Sequence, residues 1–306
     1  MRNRGIILIG PTTFGSLDPA PLRKIEDAGY DVRRNPVGRK MSESDLASAL
    51  DGAVGIVAGL EPLTEKVLAQ SQLKVVSRCG VGLDSVDVAA AKRLGIQVYS
   101  TPNAPTVAVA ELTIGAMICM LRRVSQMDQK MRAGGWEKLS GPQLRDKTVT
   151  IVGLGRIGLQ VASYLKAFGV RLLGVDPFRQ GVVEGIPVVT LDEALAQSHI
   201  ISLHASGSTE ILGAREFERM RPGAYVINTG RGGLINEAAL QKALDDGKVA
   251  GAWLDAFAEE PYQGPLKTYK QVVLTPHIGY SSDEARHQME IEAVDNLLKG
   301  LAAPTR

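Results

Sequence analysis

Short apolar runs of strand length alternate with longer stretches whose apolar residues recur at helical spacing, almost from one end of the chain to the other. In the first third, Ile6–Ile9, Val54–Ala58, Lys74–Ser77 and Ile96–Tyr99 are predicted strands, with a weaker one at Asp31–Arg34. Between them, Pro21–Ala28, Ser44–Leu50, Thr64–Gln70 and Val86–Leu94 are predicted helices. That alternation is the pattern of βαβ units on a parallel sheet. Ser42-Glu43-Ser44-Asp45 offers helix-start chemistry before Leu46 and Leu50. Asp27-Ala28-Gly29 and Leu94-Gly95 close helices with the residue that best tolerates a left-handed stop.

At Ser100-Thr101-Pro102-Asn103-Ala104-Pro105 the pattern breaks, because closely spaced prolines make a connection rather than a helix interior. A long helix with an internal break is predicted from Val107 to Met131, ended by Gly134-Gly135. A second series then follows. Its predicted strands are Val149–Val152, Arg171–Val175, His199–His204, Tyr225–Asn228, Gly251–Leu254 and Val272–Leu274. Its predicted helices are Ile157–Phe168, Asp192–Ala196, Glu216–Met220 and Glu237–Asp246, and Asp283–Leu298 is a last helix with Ile291, Val294 and Leu298 on one face.

Composition adds limits. With 306 residues, 44% of them hydrophobic, two domains are the better expectation. The net charge of +2, from 35 basic and 33 acidic side chains, gives no electrostatic footprint for nucleic acid. No stretch has the length of a membrane span, and the apolar run after Met1-Arg2-Asn3-Arg4 is too short for a signal peptide. It reads as a first buried strand. Cys79 and Cys119 form neither a metal-ligand nor a redox spacing, so no metal is expected and a cytoplasmic location is.

Gly153-Leu154-Gly155-Arg156-Ile157-Gly158 has the GxGxxG form, which is weak evidence alone. Here a β-branched run, Thr148–Val152, leads into it, and Leu159, Val161, Ala162 and Leu165 continue as a helix. The first glycine allows a tight turn, the second a close approach to a pyrophosphate, and the third close helix–strand packing. Asp176 ends the next strand, 18 residues past Gly158 (176 − 158), where a carboxylate can bond ribose hydroxyls. Gly153, Gly155, Arg156, Ile157, Gly158 and Asp176 are therefore candidate cofactor residues. Asp176 favours NAD over NADP, while Arg179 keeps a 2′-phosphate partner available.

Reduction of a 2-oxo acid with such a cofactor needs a cation for the carboxylate and carbonyl, a proton donor, and a group that orients the donor. Of His199, His204, His277 and His287, His199 and His287 suit a surface or satisfied-core reading. His277 differs, because it follows Val272-Val273-Leu274-Thr275-Pro276 at a strand's carboxyl end, where open α/β sheets place ligands. Arg231 lies among glycines after Tyr225–Asn228, and Glu259 and Glu260 follow Gly251–Asp255. Either glutamate is a candidate partner or a solvated loop residue.

Several motifs in one order resemble the D-isomer-specific 2-hydroxy acid dehydrogenases over essentially the whole chain. They are Arg78-Cys79-Gly80-Val81-Gly82-Leu83-Asp84, Val109-Ala110-Glu111 after Thr101-Pro102, the dinucleotide loop and Asn228-Thr229-Gly230-Arg231-Gly232-Gly233. Leu254-Asp255 through Glu260-Pro261 and Pro276-His277-Ile278-Gly279 complete the set. The resemblance implies an α/β fold of two doubly wound parallel-sheet domains, a flavodoxin-like substrate domain and an inserted Rossmann NAD-binding domain. It divides the chain into an outer substrate domain (1–100), the NAD domain (101–280) and a C-terminal helix returning to the outer domain (281–306), with a cleft between the domains. It implies an Arg231–Glu260–His277 catalytic set, with His277 as acid and base and Glu260 favouring the protonated ring. It also implies that Arg78 and the amides of Gly80, Val81 and Gly82 hold substrate, and that Thr229 and Asp255 contact the nicotinamide side.

There are departures. His204-Ala205-Ser206-Gly207-Ser208-Thr209 lacks a usual proline–leucine pair, Ser85 replaces a frequent asparagine, and Tyr280 stands where a small residue is common. Asn35–Lys40 and Gly59-Leu60-Glu61-Pro62-Leu63-Thr64 resemble short phosphoglycerate-dehydrogenase-like members without a regulatory module. Arg39, Lys40 and Arg78 could meet a phosphate on 3-phosphoglycerate, or Arg39 and Lys40 could be solvated loop charges. Cys79 could line the pocket or be a small buried residue. The expected activity is NAD-dependent D-2-hydroxy acid dehydrogenase. The alternatives are a glyoxylate/hydroxypyruvate reductase, a formate or phosphite dehydrogenase, and a non-catalytic NAD(H)-sensing corepressor-like protein. The helix with Ile114, Met117, Ile118 and Leu121 is core or a subunit face, and a homodimer is expected.

Overall fold

The computed structural model describes residues 4–303; Met1-Arg2-Asn3 of the basic flank and Pro304–Arg306 lie outside the described residues. The chain separates into two compact units, Met1–Pro105 with Ser281–Arg306, and Thr106–Tyr280. The first is built from β1 (Ile6–Ile9), α1 (Ala20–Asp27), β2 (Asp31–Arg34), α2 (Glu43–Ala49), β3 (Ala53–Ala58), α3 (Glu65–Ala69), β4 (Val75–Arg78), α4 (Val88–Arg93) and β5 (Gln97–Tyr99). All neighbouring strands are parallel, in the order β2-β1-β3-β4-β5. This is the flavodoxin-like doubly wound order.

Alternation along β1 explains its two-sided burial. Leu8 packs with Leu46 and Leu50 around α2, Val67 and Leu68 of α3, and Ala90 of α4. Ile7 and Ile9 point to the opposite core, with Ile25 of α1. Successive strand residues face opposite sides, so a strand apolar at every position needs helices on both. Local chemistry sets the ends. The Ser42 hydroxyl accepts the Asp45 N–H while the Asp45 side chain accepts the Ser42 N–H, a reciprocal cap for α2.

The second unit begins with α5 (Thr106–Leu121) and α6 (Val124–Arg132), and continues through β6 (Thr148–Val152), α7 (Arg156–Leu165), β7 (Arg171–Val175), β8 (Val182–Val183) and β9 (Ile186–Pro187). Then come α8 (Leu191–Gln197), β10 (Ile200–Leu203), α9 (Ala214–Arg219), β11 (Ala224–Asn228), α10 (Glu237–Asp245), β12 (Val249–Leu254) and β13 (Val272–Leu274). The six-stranded parallel sheet runs β13-β12-β11-β10-β6-β7. Beyond β7 a single parallel bridge joins Gly174 to Val188. The third Rossmann strand is thus reduced to one bridge, preceded by the β8–β9 hairpin that the apolar pattern missed. Glu184 and Gly185, both at positive φ, form the two-residue turn of that hairpin.

The long helix divides. Arg123, at φ 55, separates α5 from α6. Met117 is fully buried and Leu121 2% exposed, while Ile118 on the same helix is 38% exposed. One face of α5 is therefore core, and another is open. No helix among the described residues is long and apolar enough to cross a membrane.

After the second unit the chain returns as α11 (Asp283–Ala302), which packs on the first sheet. Ala293, Val294 and Leu297 join Ile7, Ile9 and Val75 in one core, and Gly55 leaves room for the Leu297 side chain. Leu297→Ala should cost about 2–5 kcal/mol by opening a cavity. A urea midpoint unchanged from the parent would show that α11 does not stabilise this unit.

Candidate active site

Parallel strands bring every loop that follows them to one edge. In the second sheet that edge collects Gly153 after β6, Asp176 after β7, His204 after β10, Thr229–Arg231 after β11, Asp255 after β12 and Thr275–His277 after β13. The strand order reverses at β6, between β7 and β10, which is where such sheets bind ligands.

The three glycines after β6 have three physical reasons. Gly153 sits at φ +95, and a Cβ there would lie 2.6 Å from the Ala205 nitrogen. A Cβ on Gly158 would lie 2.0 Å from the Gly153 carbonyl oxygen, so this position sets the approach of helix to strand. Gly155 caps α7, and a Cβ there would meet only open space within 4 Å. Its bareness therefore answers no need of the protein interior and leaves the helix N-terminus open to an anion. Arg156 is exposed and Ile157 half-buried on the first turn. Asp176 accepts the Leu154 N–H on Oδ2 and the Phe178 N–H on Oδ1, both at 2.8 Å. Each oxygen retains a lone pair for a ribose hydroxyl. The residues present fit a dinucleotide.

Glu260 and His277 are directly bonded. The ring Nδ1 lies 3.1 and 3.0 Å from Glu260 Oε1 and Oε2, and both side chains are partly exposed. The Phe257 N–H donates to Glu260 Oε1 at 3.1 Å and steadies the carboxylate. His277 has φ 53, a backbone region that non-glycine residues rarely occupy. Asp255 holds that segment in place. It is 1% exposed and accepts from Thr275 Oγ1 (2.6 Å) and the N–H groups of Ile278 (2.9 Å) and Gly279 (2.8 Å). Trp253 Nε1 in turn donates to Thr275 Oγ1 at 2.8 Å. The residues flanking His277 are thus over-determined, as a strained backbone requires.

Arg231 reaches this neighbourhood through its own loop. Gly232 packs so tightly that a Cβ would overlap the Phe257 carbonyl group, which presses the Arg231 loop against the segment carrying Glu260. Asn228 braces the loop by donating to the Arg231 carbonyl (2.9 Å) and accepting the Gly230 N–H (3.0 Å). Arg231 Nη1 donates to the Gly230 carbonyl at 3.0 Å.

A polar chain that the sequence pattern did not reveal lies beneath Thr229. His204 Nδ1 is 3.2 Å from Thr229 Oγ1, which is 3.3 Å from Thr113 Oγ1, while His204 Nε2 is 2.8 Å from Ser202 Oγ. Thr113 Oγ1 donates to the Val109 carbonyl at 2.7 Å, so its proton is spent. One proton placement satisfies every contact. Ser202 donates to Nε2, Nδ1–H donates to Thr229, and Thr229 donates to Thr113. Desolvation pushes His204 down from 6.5 to about 4, which keeps the ring neutral as this arrangement requires. A histidine closing a buried strand was the available signal. The remaining two histidines stay apart from this group: His199 bonds Arg221 and the Thr148 N–H, and His287 faces Asp18.

In the first unit, the Gly80 N–H donates to Thr101 Oγ1 at 2.7 Å, and the Gly80 carbonyl accepts the Thr101 N–H. That amide is occupied, whereas Val81 and Gly82 are at least partly exposed. The Arg78 guanidinium lies against Gly80 and bonds the Cys79 carbonyl. Burial pushes the Cys79 thiol up to about 12, the behaviour of a packing residue. Among the described residues no cluster of His, Cys, Asp and Glu is arranged to hold a metal ion.

Residues 114–279 match the family model described as D-isomer specific 2-hydroxyacid dehydrogenase, NAD binding domain. The D-3-phosphoglycerate dehydrogenase of Homo sapiens is 36% identical over 300 residues, which cover 93% of this chain and 56% of that protein. The chain thus spans about half the length of the curated relatives it matches. Among solved structures, the TT0316 protein from Thermus thermophilus superposes with a TM-score of 0.89 at 32% identity, covering 97% of this chain and 96% of the other. A glyoxylate reductase from Paecilomyes thermophila gives 0.88 at 29% identity, over 99% and 96%.

The half-buried, desolvated His204 makes stability pH-dependent with a definite sign. The unfolded chain takes up a proton below about 6.5, whereas the folded ring resists until about 4. The His204 contribution is therefore fully present above that window, falls as pH drops through it, and amounts to roughly 3 kcal/mol. His204→Gln should lose less stability than the parent between pH 7 and pH 4.5 in urea titrations. Parallel losses in the two proteins would contradict the desolvated neutral ring.

Proposed function

The chain belongs to the D-isomer-specific 2-hydroxyacid dehydrogenase family, and we propose that it interconverts a 2-oxo acid and its D-2-hydroxy acid with NAD. The observation that carries this reading is the Glu260–His277 pair, on the sheet edge that also carries the glycine loop. A nicotinamide cofactor held at Gly153–Gly158 and Asp176 would supply hydride as NADH in reduction and accept it as NAD+ in oxidation.

The chain's own residues handle the proton and the charge. Glu260 engages Nδ1 of His277, so Nδ1 carries a proton and Nε2 is the atom that exchanges with substrate. In reduction, Nε2–H gives its proton to the carbonyl oxygen as carbon gains hydride. In oxidation, neutral Nε2 takes the hydroxyl proton. Arg231 pairs with the substrate carboxylate and with charge developing on the oxygen. The amides of Val81 and Gly82, with Gly80 and Arg78 shaping their loop, are proposed to receive the carboxylate. Thr229 and Asp255 are proposed to face the nicotinamide. Asp255 then has a second task, since three of its hydrogen bonds hold the His277 segment. Relatives named for 3-phosphoglycerate and glyoxylate oxidoreduction support the 2-oxo acid class.

His277→Asn should lower kcat about 10²–10⁴-fold while leaving NADH binding within a few-fold of the parent. The checks are NADH absorbance with a panel of 2-oxo acids and NADH fluorescence titration. Unchanged turnover would remove His277 from proton transfer. Tight NADH binding without turnover in the parent would favour a sensing protein instead.

We further propose a homodimer formed through α5, α6 and the segment after them. Val107, Ile118, Val124 and Met131 expose apolar side chains there, and Trp136 is 78% exposed. Sedimentation at micromolar concentration should give twice the chain mass, and a monomer would refute this arrangement. A cytoplasmic location is proposed on the strength of two unpaired cysteines. The balanced charge gives no reason to invoke a nucleic-acid or membrane partner.

A further inference from the structure

The first sheet has its own ligand-binding edge, and a carboxylate occupies it. In the order β2-β1-β3-β4-β5 the winding reverses between β1 and β3, and such sheets bind ligands outside those strand ends. Gly10 follows β1 and Gly59 follows β3. Glu61 turns back into this place and is 2% exposed. The Gly59 N–H donates to Glu61 Oε2 at 2.5 Å. A Cβ on Gly10 would lie 2.8 Å from the carboxyl carbon and both its oxygens, and one on Gly59 would lie 3.0 Å from Oε1. Two positions without side chains make room for one carboxylate.

The basic side chains that would suit a phosphate are already balanced. Arg39 Nη1 donates to Asp45 Oδ2 at 2.7 Å and to the Lys40 carbonyl at 3.0 Å. Lys40 and Arg78 are close enough for their charge to act on Glu61. Burial itself raises the Glu61 carboxyl above the ordinary range, and these cations with the Gly59 N–H oppose that rise.

We infer that Glu61 is a specificity residue that disfavours a phosphorylated substrate and favours a 2-oxo acid with a free hydroxyl on C3. The inference rests on the dehydrogenase reading above. β3 and β4 are neighbours, with Ala58 opposite Arg78, so the Glu61 turn and the Val81–Gly82 amides follow adjacent strand ends. Arg78, at the end of β4, lies close enough to Glu61 for its charge to act there, which sets the carboxylate near the strand end that leads into those amides. A phosphate there sets about two negative charges against a buried carboxylate, whereas a hydroxyl can donate to it.

The test compares hydroxypyruvate with 3-phosphohydroxypyruvate in the parent and in Glu61→Gln, with NADH. The parent should show at least ~100-fold higher kcat/KM for hydroxypyruvate. Glu61→Gln should narrow that ratio at least ~10-fold, chiefly through KM for the phosphorylated acid. A parent that prefers the phosphorylated acid overturns the inference, and this arm needs no variant. So does an unchanged ratio in a Glu61→Gln protein that melts with the parent. Absence of turnover with any 2-oxo acid is failure of the dehydrogenase reading. Calorimetry with D-glycerate and 3-phosphoglycerate then decides for Glu61, and tighter binding of the phosphorylated acid counts against it.

Discussion

Asp255 is a buried carboxylate surrounded by three donors, and the conformation of the 275–279 segment depends on it. Thr275 Oγ1 and the Ile278 and Gly279 amides all point at its two oxygens, from either side of His277. A carboxylate out of water is tolerated only when its lone pairs are met, and unmet donors around it would be costly too. The two requirements are satisfied together in one conformation of the 275–279 segment. That conformation places His277 at positive φ, with its ring against Glu260. The Glu260–His277 pair is thus positioned from beneath, by a residue whose own hydrogen bonds go to the flanking segment.

The same economy of space appears on the neighbouring loop. Gly232 has no room for a Cβ against Phe257, and Phe257 donates its N–H to Glu260. Arg231 and Glu260 therefore sit on segments that cannot separate without opening a close backbone contact. Rigid support of this kind converts charges on loops into a site with defined geometry.

Much of this was legible in the sequence because it rests on periodicity and on backbone demands. Strand runs apolar at every position require helices on both faces, and the GxGxxG turn needs its glycines for steric reasons that hold in any such loop. That Arg231, Glu260 and His277 gather on one edge was legible because each follows a strand whose carboxyl end lies there; their reading as a set, and the choice of Glu260 over Glu259, came from the resemblance. Other features left little trace. The β8–β9 hairpin has two residues per strand, below the length at which alternation can be seen. The Ser202–His204–Thr229–Thr113 chain joins residues that are far apart in sequence, so spacing carries no signal of it. Glu290, in the middle of α11, was not singled out by the helix's apolar pattern, yet it is 5% exposed and accepts the Gly15 N–H at 2.9 Å. Local patterns report which face of an element is apolar; they do not report which polar group a distant loop will bring to it.

The two sheets obey the same winding rule and use its consequence differently. At the reversal in the second sheet, Gly155 is bare toward open space, and the helix behind it starts without a side-chain cap. At the reversal in the first sheet, Gly10 and Gly59 are bare toward the chain's own Glu61. Glycine at a strand end thus has two meanings, room for a ligand or room for a neighbour. Only the contact made by an imagined Cβ distinguishes them. Where that contact is open space, the fold's ligand edge retains its positive character and suits a pyrophosphate. Where it is a buried carboxyl group, the edge has acquired an acidic side chain that must be matched by a donor, as the Gly59 N–H matches Glu61.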